Sequence, residues 1–164
     1  MTIQKGTTRR QALRLAAAGA AVLPLSKALH AESRNVVGVW RLVSTSATDA
    51  AGNKVSVPYG PRGMGIVTLT NDGRMMAVLV DGRASLPEGT KREYASYCGN
   101  YTFDGTTLVT KTDASSDPSR FTSDQVRKVR FDGDRMILVP PDTVINGVKV
   151  TRELIWERIS TVSL

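Results

Sequence analysis

Histidine and cysteine are almost absent from this 164-residue sequence, which contains one of each, His30 and Cys98. His30 lies in an N-terminal segment that we expect to be removed as a signal peptide, so the remaining chain has no histidine. This excludes Ser-His-Asp and Cys-His catalytic pairs and zinc sites built from histidines or several cysteines. One cysteine cannot form an intramolecular disulfide, so packing alone must hold the fold. We therefore expect neither a metal nor a cofactor.

Acidic residues are missing from the first 31 positions, which carry five basic residues. An alanine-rich apolar run of 11 residues, Leu15 to Leu25, follows the basic stretch. This run is too short for a membrane-spanning helix, which needs about 20 residues, and small residues follow it up to Ala31. A basic start, a short apolar run and a small-residue end are typical of a signal peptide. We predict a signal over residues 1–31 that is cleaved after Ala31, and no stable membrane anchor.

Two adjacent arginines specify the kind of signal. The stretch Thr8 to Arg14 resembles the twin-arginine consensus, with Ala12 where phenylalanine is usual. Such signals are addresses read by a receptor. The resemblance therefore implies that Arg9 and Arg10 engage the twin-arginine export machinery and that the protein is periplasmic or secreted. A basic amphipathic helix or a mitochondrial transit peptide, which is also rich in arginine and poor in acids, is the alternative.

The charge balance changes once the signal is removed. The whole chain has 22 basic and 15 acidic residues, net +7, whereas residues 32–164 have 17 and 15, net +2. The high isoelectric point therefore belongs mostly to the signal, and the domain lacks the basic excess that nucleic-acid binding requires. The remaining 133 residues suit one domain with one core.

Asn-Gly and Asp-Gly turns punctuate the domain at short intervals, for example at Asn71-Asp72-Gly73 and Asp104-Gly105. Such pairs supply the positive φ that tight hairpins need. Many short β-prone runs between regular turns indicate an all-β sandwich or barrel, and hairpin-joined neighbours favour an up-and-down meander that closes on itself. The only plausible helix is a short one at Glu88–Tyr97. The predicted strands are Val37–Ala47, Lys54–Val57, Gly65–Thr70, Arg74–Val80, Gly99–Phe103, Thr107–Thr112, Gln125–Phe131, Arg135–Val139 and Val148–Ile159.

Alternation along the strands predicts which side chains face inward, since successive residues point to opposite faces of a sheet. The strand Arg74–Val80 is apolar on both faces, which predicts a strand that is covered on both sides. In the other two informative strands an apolar inward face is interrupted by arginines. The inward sets are Val148, Val150, Arg152, Leu154, Trp156 and Arg158 in the last strand, and Gln125, Arg127, Val129 and Phe131 in Gln125–Phe131.

Several short motifs follow one another along the domain: Gly38-Val39-Trp40-Arg41-Leu42-Val43-Ser44, Pro58-Tyr59-Gly60-Pro61-Arg62-Gly63, Asn71-Asp72-Gly73-Arg74-Met75, Tyr97-Cys98-Gly99-Asn100-Tyr101-Thr102-Phe103-Asp104-Gly105, Pro118 to Arg127, and Trp156-Glu157-Arg158. In this order and spacing they resemble the bacterial and fungal lipocalin-like domain proteins. Two features usual in that pattern are missing, an aromatic on the third strand and a histidine on the strand after Asp104-Gly105.

The resemblance implies that residues 32–164 form a lipocalin-like, closed antiparallel up-and-down barrel of eight to nine strands, with one short helix near a barrel mouth. Barrels of about this size either fill with side chains or hold one small ligand. Lipocalins stack an arginine of the last strand on the tryptophan of their first G-x-W motif. The resemblance therefore implies that Arg158 stacks on Trp40, as a cation–π pair that closes the barrel base.

Two arginines carry the functional hypothesis. An inward arginine in an apolar barrel must be paired or solvated, because an unpaired buried charge is very costly. Unless an internal ion pair satisfies them, these arginines can clamp a carboxylate, phenolate or enolate oxygen of a bound molecule. We predict a barrel that binds a small, mostly apolar molecule with an acidic or carbonyl end. The candidate ligand-binding residues are Arg127, Arg152, Tyr101, Tyr97, Met76, Phe103 and Trp156.

A cofactor-free isomerase, cyclase or lyase is the alternative, since some related fungal barrels act as cyclases or isomerases. Without histidine the acid–base work would fall to Tyr97, Tyr101 and Glu93, and Arg127 or Arg152 would stabilise the anion. A third possibility is a structural or partner-binding barrel with a filled interior and no ligand. The fold alone does not decide between them.

Overall fold

Residues 1–2, 35–145 and 147–161 are described by the computed structural model. The chain divides into two units, residues 1–30 and 31–164, and the β-strands belong to the second unit. The predicted signal peptide, apart from its first two residues, and its cleavage site lie outside the described residues. No helix within the described ranges combines the length and the apolar character that crossing a bilayer requires.

Short strands joined by tight turns make up almost all of the described domain. The Asp104-Gly105 turn shows why, since the Asp104 carboxylate accepts hydrogen bonds from the backbone N–H of Thr106 and Thr107 at 2.8 and 2.7 Å. The strands are β1 (Gly38–Asp49), β2 (Gly63–Leu69), β3 (Arg74–Asp81), β4 (Tyr94–Phe103), β5 (Thr107–Ser115), β6 (Gln125–Asp132), β7 (Arg135–Val139), β8 (Thr143–Ile145) and β9 (Val148–Ser160). One 3₁₀ helix, Pro118–Phe121, lies between β5 and β6.

The strands form one antiparallel sheet that closes on itself. From β1 to β7 each strand pairs with the next along the chain, β7 pairs with β9, and β9 pairs back onto β1. Among the described strands β8 pairs with β9 alone and extends the sheet beside the barrel. The predicted closed antiparallel up-and-down barrel is therefore confirmed, as eight barrel strands and one additional strand.

Alternate residues of each strand fill the barrel interior. In β3 the side chains of Met75, Ala77 and Leu79 are buried, at 4%, 2% and 5% exposure. Met76 and Val78, which alternate with them, face outward and are 57% and 36% exposed. The prediction that β3 is covered on both faces is wrong, because period-two alternation cannot distinguish a covered outer face from an apolar face left in solvent.

The short helix predicted at Glu88–Tyr97 is wrong. Tyr94 begins β4 and pairs with Val80 of β3, so the second half of the predicted helix is a strand. The charged stretch 88–93 has no apolar face to bury, and a short helix is marginal without one. Pairing with β3 instead satisfies the backbone groups of both strands. Within the described residues the 3₁₀ helix Pro118–Phe121 is the single helical element.

Two strand predictions also differ from the structure, and one strand was not predicted. The predicted strand Lys54–Val57 is reduced to one isolated bridge, from Lys54 to Thr48, and Pro58 after it has no N–H to donate. The strand predicted to begin at Gly99 begins five residues earlier, because Gly99 occupies a β-bulge inside β4. β8 has no counterpart among the predictions, since three residues carry too little alternation to indicate a strand.

The base of the barrel is closed by Arg158 and Trp40. Trp40 is 1% exposed, and its indole N–H donates to the carbonyl oxygen of Val36 at 2.8 Å. The Arg158 guanidinium lies 4.1 Å from the centroid of the Trp40 ring. It also donates to the carbonyl oxygens of Asn35, at 2.5 Å, and Val37. The cation–π pair implied by the resemblance is therefore present.

Gly38 makes room for this arrangement. Its φ of +140° lies in a region that favours glycine, and a Cβ at this position would approach the Arg158 Nη1 atom to 2.8 Å. A larger residue would therefore force the guanidinium away from the indole ring.

We predict that Arg158→Met lowers the free energy of unfolding by about 2 kcal/mol. Methionine keeps most of the aliphatic stem but loses the cation–π contact, worth roughly 0.5–2 kcal/mol, and hydrogen bonds worth about 1 kcal/mol each. Urea denaturation followed by circular dichroism measures the change. The matched control is Arg135→Met, at an exposed position of β7, which we expect to change stability by less than about 0.5 kcal/mol. Equal losses in the two variants would contradict the role of Arg158.

Candidate functional site

The end of the barrel away from Arg158 encloses a cavity of about 500 Å³. Strand β7 stops at Val139 and is followed by Pro140-Pro141, which have no N–H to donate to a neighbouring strand. Beyond this point no described strand pairs with both β6 and β9, so the cavity opens between them. Val126, Pro140 and Thr143, which lie next to this gap in the sheet, are among the residues that line the cavity.

The deep part of the cavity is apolar. Its lining comes from inward positions of five strands, β2, β3, β5, β7 and β9, so the same alternation that builds the core also builds the wall. Ala77 leaves space in the middle of this wall, because its neighbours in the register are the larger Val67 and Tyr97. The apolar lining residues are Val67, Met75, Ala77, Leu79, Leu108, Leu138, Leu154 and Trp156.

Three arginines, Arg120, Arg127 and Arg152, line the outer part of the cavity. The Gln125 side-chain oxygen accepts from Arg120 Nη1 at 2.5 Å and from Arg127 Nη2 at 3.4 Å, and so holds two of the guanidinium groups together. Arg120 also lies over the ring of Tyr97, 4.7 Å from its centroid. Burial lowers the pKa of the Arg127 guanidinium, and the neighbouring charges of the other two arginines lower it further.

Arg152 differs from its neighbours because its side chain makes no hydrogen bond and no ion pair with any described residue, and its buried Nε atom has no partner. Its sequence neighbour Glu153 is bound from the other side by Arg130, at 2.9 and 3.0 Å. Arg127 also has no carboxylate within 4.0 Å among the described residues, and it donates instead to the Val126 carbonyl at 2.6 Å. These two arginines therefore offer positive charge to the cavity.

Unsatisfied polar atoms concentrate around this cavity. Of the five buried side-chain nitrogen or oxygen atoms without a hydrogen-bond partner in the described residues, four belong to residues that line it. Buried polar groups are almost always hydrogen-bonded, so a cluster of exceptions needs an explanation. The four atoms are Arg120 Nε, Thr143 Oγ1, Arg152 Nε and Trp156 Nε1.

Tyr59 lines the cavity from the loop between β1 and β2. It is the one residue other than glycine with a positive φ in the described ranges, at 67°, a conformation that is uncommon for a bulky residue. The backbone N–H of Tyr59 donates a hydrogen bond to the Glu93 carboxylate. Burial raises the pKa of the Tyr59 phenol, and the charge of Arg120 opposes this rise.

A buried ion pair supports the same loop. Asp81 is 1% exposed at the end of β3, and its carboxylate accepts from Arg83 Nη2 at 2.5 Å and from Arg83 Nε at 3.0 Å. Gly60, which follows Tyr59, packs so closely that a Cβ there would lie 2.9 Å from Asp81 Oδ2. Asp81 and Arg83 thus form the surface on which the Tyr59-Gly60 turn rests.

Of the residues predicted from the sequence as site residues, the structure brings Tyr97, Arg127, Arg152 and Trp156 together around the cavity. The other four lie elsewhere. The Tyr101 hydroxyl donates to the Thr70 carbonyl at 2.8 Å, and Phe103 packs against the core.

Met76 is on the outer face of β3, where it cannot line the cavity. The sequence did not indicate this orientation, because both faces of that strand are apolar and the alternation favours neither. Glu93 is not among the residues that line the cavity and binds the backbone of Tyr59.

Among the lining residues that were not predicted as site residues, three contribute polar groups to the arginine-lined part of the cavity: Tyr59, Arg120 and Gln125. Gln125 belonged to the predicted inward face of its strand, and only its role in bridging two arginines was unforeseen. Tyr59 stands in the Pro58-Tyr59-Gly60-Pro61 segment, whose turn residues indicate a shaped loop without saying which side chain points inward. Arg120 lies in a polar connection with no alternation, so its orientation carries no sequence signal.

Comparison with known proteins identifies one match. A family model described as a lipocalin-like domain matches residues 37–159, which covers every strand of the barrel but for the last residue of β9. No curated protein and no solved structure matches the chain.

We predict that Asp81→Asn destabilises the fold at neutral pH and that the loss diminishes in acid. The hydrogen bonds from Arg83 hold the pKa of Asp81 below its usual value. Such a carboxyl contributes stability above its unfolded pKa of about 3.9, and this contribution is lost as pH falls through the lower folded pKa. Urea unfolding at several pH values between about 7 and 3 measures the difference from the parent protein.

The control for this prediction is Asp132→Asn, at an exposed position where β6 ends. We expect it to change the free energy of unfolding at neutral pH by less than about 0.5 kcal/mol. A difference between Asp81→Asn and the parent that stays constant down to about pH 3 would show that the Asp81 charge does not stabilise the fold.

Proposed function

Since this chain belongs to the lipocalin-like domain family, we propose that it is a binding protein. Its cavity holds one small, mostly apolar molecule by an acidic or carbonyl end. The observation that carries this proposal is the division of the cavity into an apolar floor and an arginine-lined outer part. Small-molecule sites are typically apolar concavities of roughly 300–1,000 Å³ with a few placed polar groups. The volume of about 500 Å³ falls within that range.

Each part of the cavity supports one part of the ligand. The floor, formed by residues such as Leu108, Leu138 and Trp156, offers mainly apolar contact. None of these residues carries a charge. The outer part offers guanidinium N–H groups, which form strong charge-assisted bonds with carboxylates and other anionic oxygens. A ligand with its polar end outward and its apolar body inward therefore matches both parts.

The geometry favours binding over the alternative of a cofactor-free isomerase, cyclase or lyase. Two of the three acid–base residues on which that alternative depends, Tyr101 and Glu93, form hydrogen bonds outside the cavity. The third possibility, a barrel with a filled interior and no ligand, is not supported by an open cavity of this size.

We also propose that the protein works outside the cytoplasm, after export as a folded domain by the twin-arginine route. The support is the N-terminal sequence, in which Arg9 and Arg10 precede the apolar run and Lys27 follows it. The single cysteine adds to it, because a barrel that needs no disulfide can complete folding before export.

Ligand binding is tested by narrowing the floor of the cavity. We predict that Ala77→Leu lowers the affinity for decanoic acid by about tenfold or more, because the added side chain occupies space beside Tyr97 and displaces the alkyl chain, worth about 0.8 kcal/mol per buried methylene. Displacement of the fluorescent anion 8-anilinonaphthalene-1-sulfonate, checked by calorimetry, measures the affinity.

The matched control is Val78→Leu, one residue along the same strand and facing outward, which we expect to bind decanoic acid as the parent does. If Ala77→Leu and Val78→Leu both bind like the parent, the ligand does not occupy the cavity.

Export is tested at the two arginines. We predict that the double substitution Arg9→Lys with Arg10→Lys leaves the precursor folded, uncleaved and cytoplasmic, because lysine keeps the charge but not the guanidinium fork that a receptor can recognise. Cell fractionation and the N-terminal sequence of the product measure the outcome. Normal export and cleavage after Ala31 in the double variant would mean that the twin-arginine assignment is wrong.

A further inference from the structure

Positive charge exceeds negative charge around the cavity once the partners of each group are taken into account. The lining includes three arginines and three acidic residues, Asp117, Asp124 and Glu153. Glu153 is bound by Arg130, and Asp117 accepts the N–H of Ser119 as the cap of the 3₁₀ helix. Asp124 is exposed and makes no ion pair with any described residue. The acids therefore do not neutralise the arginines one for one.

The three arginines are not equally compensated. Arg120 has a carboxylate nearby, since its Nε atom lies 4.0 Å from Asp117 Oδ2. Arg127 and Arg152, on strands β6 and β9, have no carboxylate within 4.0 Å in the described structure. They also lie near enough to each other for the charge of Arg152 to lower the pKa of Arg127. These two positive charges thus have no direct ion-pair partner among the described residues.

We infer that the polar end of the ligand carries two negative charges on oxygen atoms, in the form of two neighbouring carboxylates or one phosphate monoester. This inference rests on the proposed function, which requires only one acidic or carbonyl group. A single carboxylate, even one that bridges Arg127 and Arg152, supplies one negative charge against two partly buried positive charges, and the uncompensated charge is unfavourable. A dianion provides a partner for each.

The positions of the other polar groups agree with an acceptor-rich end. Gln125 directs its oxygen at Arg120 and Arg127 and thereby fixes where their N–H groups point. The Nε atoms of Arg120 and Arg152 are buried without partners. Donors held in place before binding lose little freedom when the ligand arrives. The arrangement therefore favours a compact group with several acceptor oxygens over a single carbonyl.

The test compares four ligands with the same ten-carbon chain, namely decanol, decanoate, decylsuccinate and decyl phosphate, which represent no charge, one charge, two carboxylates and a phosphate. Calorimetric titration of the full chain at about pH 8 keeps the phosphate monoester dianionic, since its second pKa is about 6. We expect decylsuccinate, decyl phosphate or both to bind about tenfold or more tightly than decanoate. Their affinity should also fall more steeply with salt. Whichever of the two binds more tightly identifies the source of the two charges.

Substitutions connect this preference to the two arginines. Arg152→Gln and Arg127→Gln should each reduce the preference for dianions to about threefold or less, whereas Arg152→Lys, which keeps the charge, should retain most of it. The control Arg135→Gln removes a charge at an exposed position of β7 and should leave all four affinities unchanged.

Three outcomes would overturn the inference. If decanoate binds as tightly as both dianions, the polar end takes one charge, and the proposed function stands without the inference. If the dianion preference survives in both Arg152→Gln and Arg127→Gln, it does not arise from these residues. If none of the four ligands binds, the proposed function fails as well.

Discussion

The pairing of β9 with β1 is the constraint on which the rest of the structure depends. It closes the barrel, and the inward side of β9 then carries Arg158 at the base, Trp156 in the floor, and Leu154 and Arg152 in the cavity wall. Because inward residues are two apart and strands rise about 3.4 Å per residue, the two arginines are separated by roughly 20 Å. One strand in one register therefore positions both ends of the molecule, and a slip by one residue would turn all four side chains outward.

Arg158 and Arg152 show how the same residue type on the same face of a strand can have opposite effects on the stability of the fold. Arg158 has an indole ring beneath it and two carbonyl oxygens within reach of its N–H groups, so its charge is stabilised where it lies. Arg152 has none of these among the described residues. Holding it near Arg127 costs stability. Functional sites commonly depart from the arrangement that would be most stable.

Much of this could be predicted from sequence, because the rules involved are local. Strand alternation placed Arg127, Arg152 and Trp156 inward, and hairpin turns indicated the order of the strands. The same rule failed for Met76, whose strand is apolar on both faces, so that alternation contained no information about direction. Alternation gives no information about Arg120, which lies in the polar connection between β5 and β6, where polar and apolar residues do not alternate. Tyr59 was beyond reach for another reason, since its backbone conformation is one that tyrosine rarely adopts and that the surrounding contacts impose.

The polar residues around the cavity come from two kinds of element, paired strands and the connections between strands. Arg127 and Arg152 belong to strands, whose hydrogen-bonded neighbours fix them, and they are set by the fold itself. Tyr59 and Arg120 come from connections, and each is held by an acidic residue: Glu93 accepts a hydrogen bond from the Tyr59 backbone N–H, and Asp117 lies 4.0 Å from Arg120 Nε. Connections tolerate substitution and insertion better than paired strands do. Under the proposed function, the strand arginines would hold the anionic end of the ligand, and the connections would shape the rest of the cavity. Substitutions in the connections could then change the ligand without disturbing the barrel.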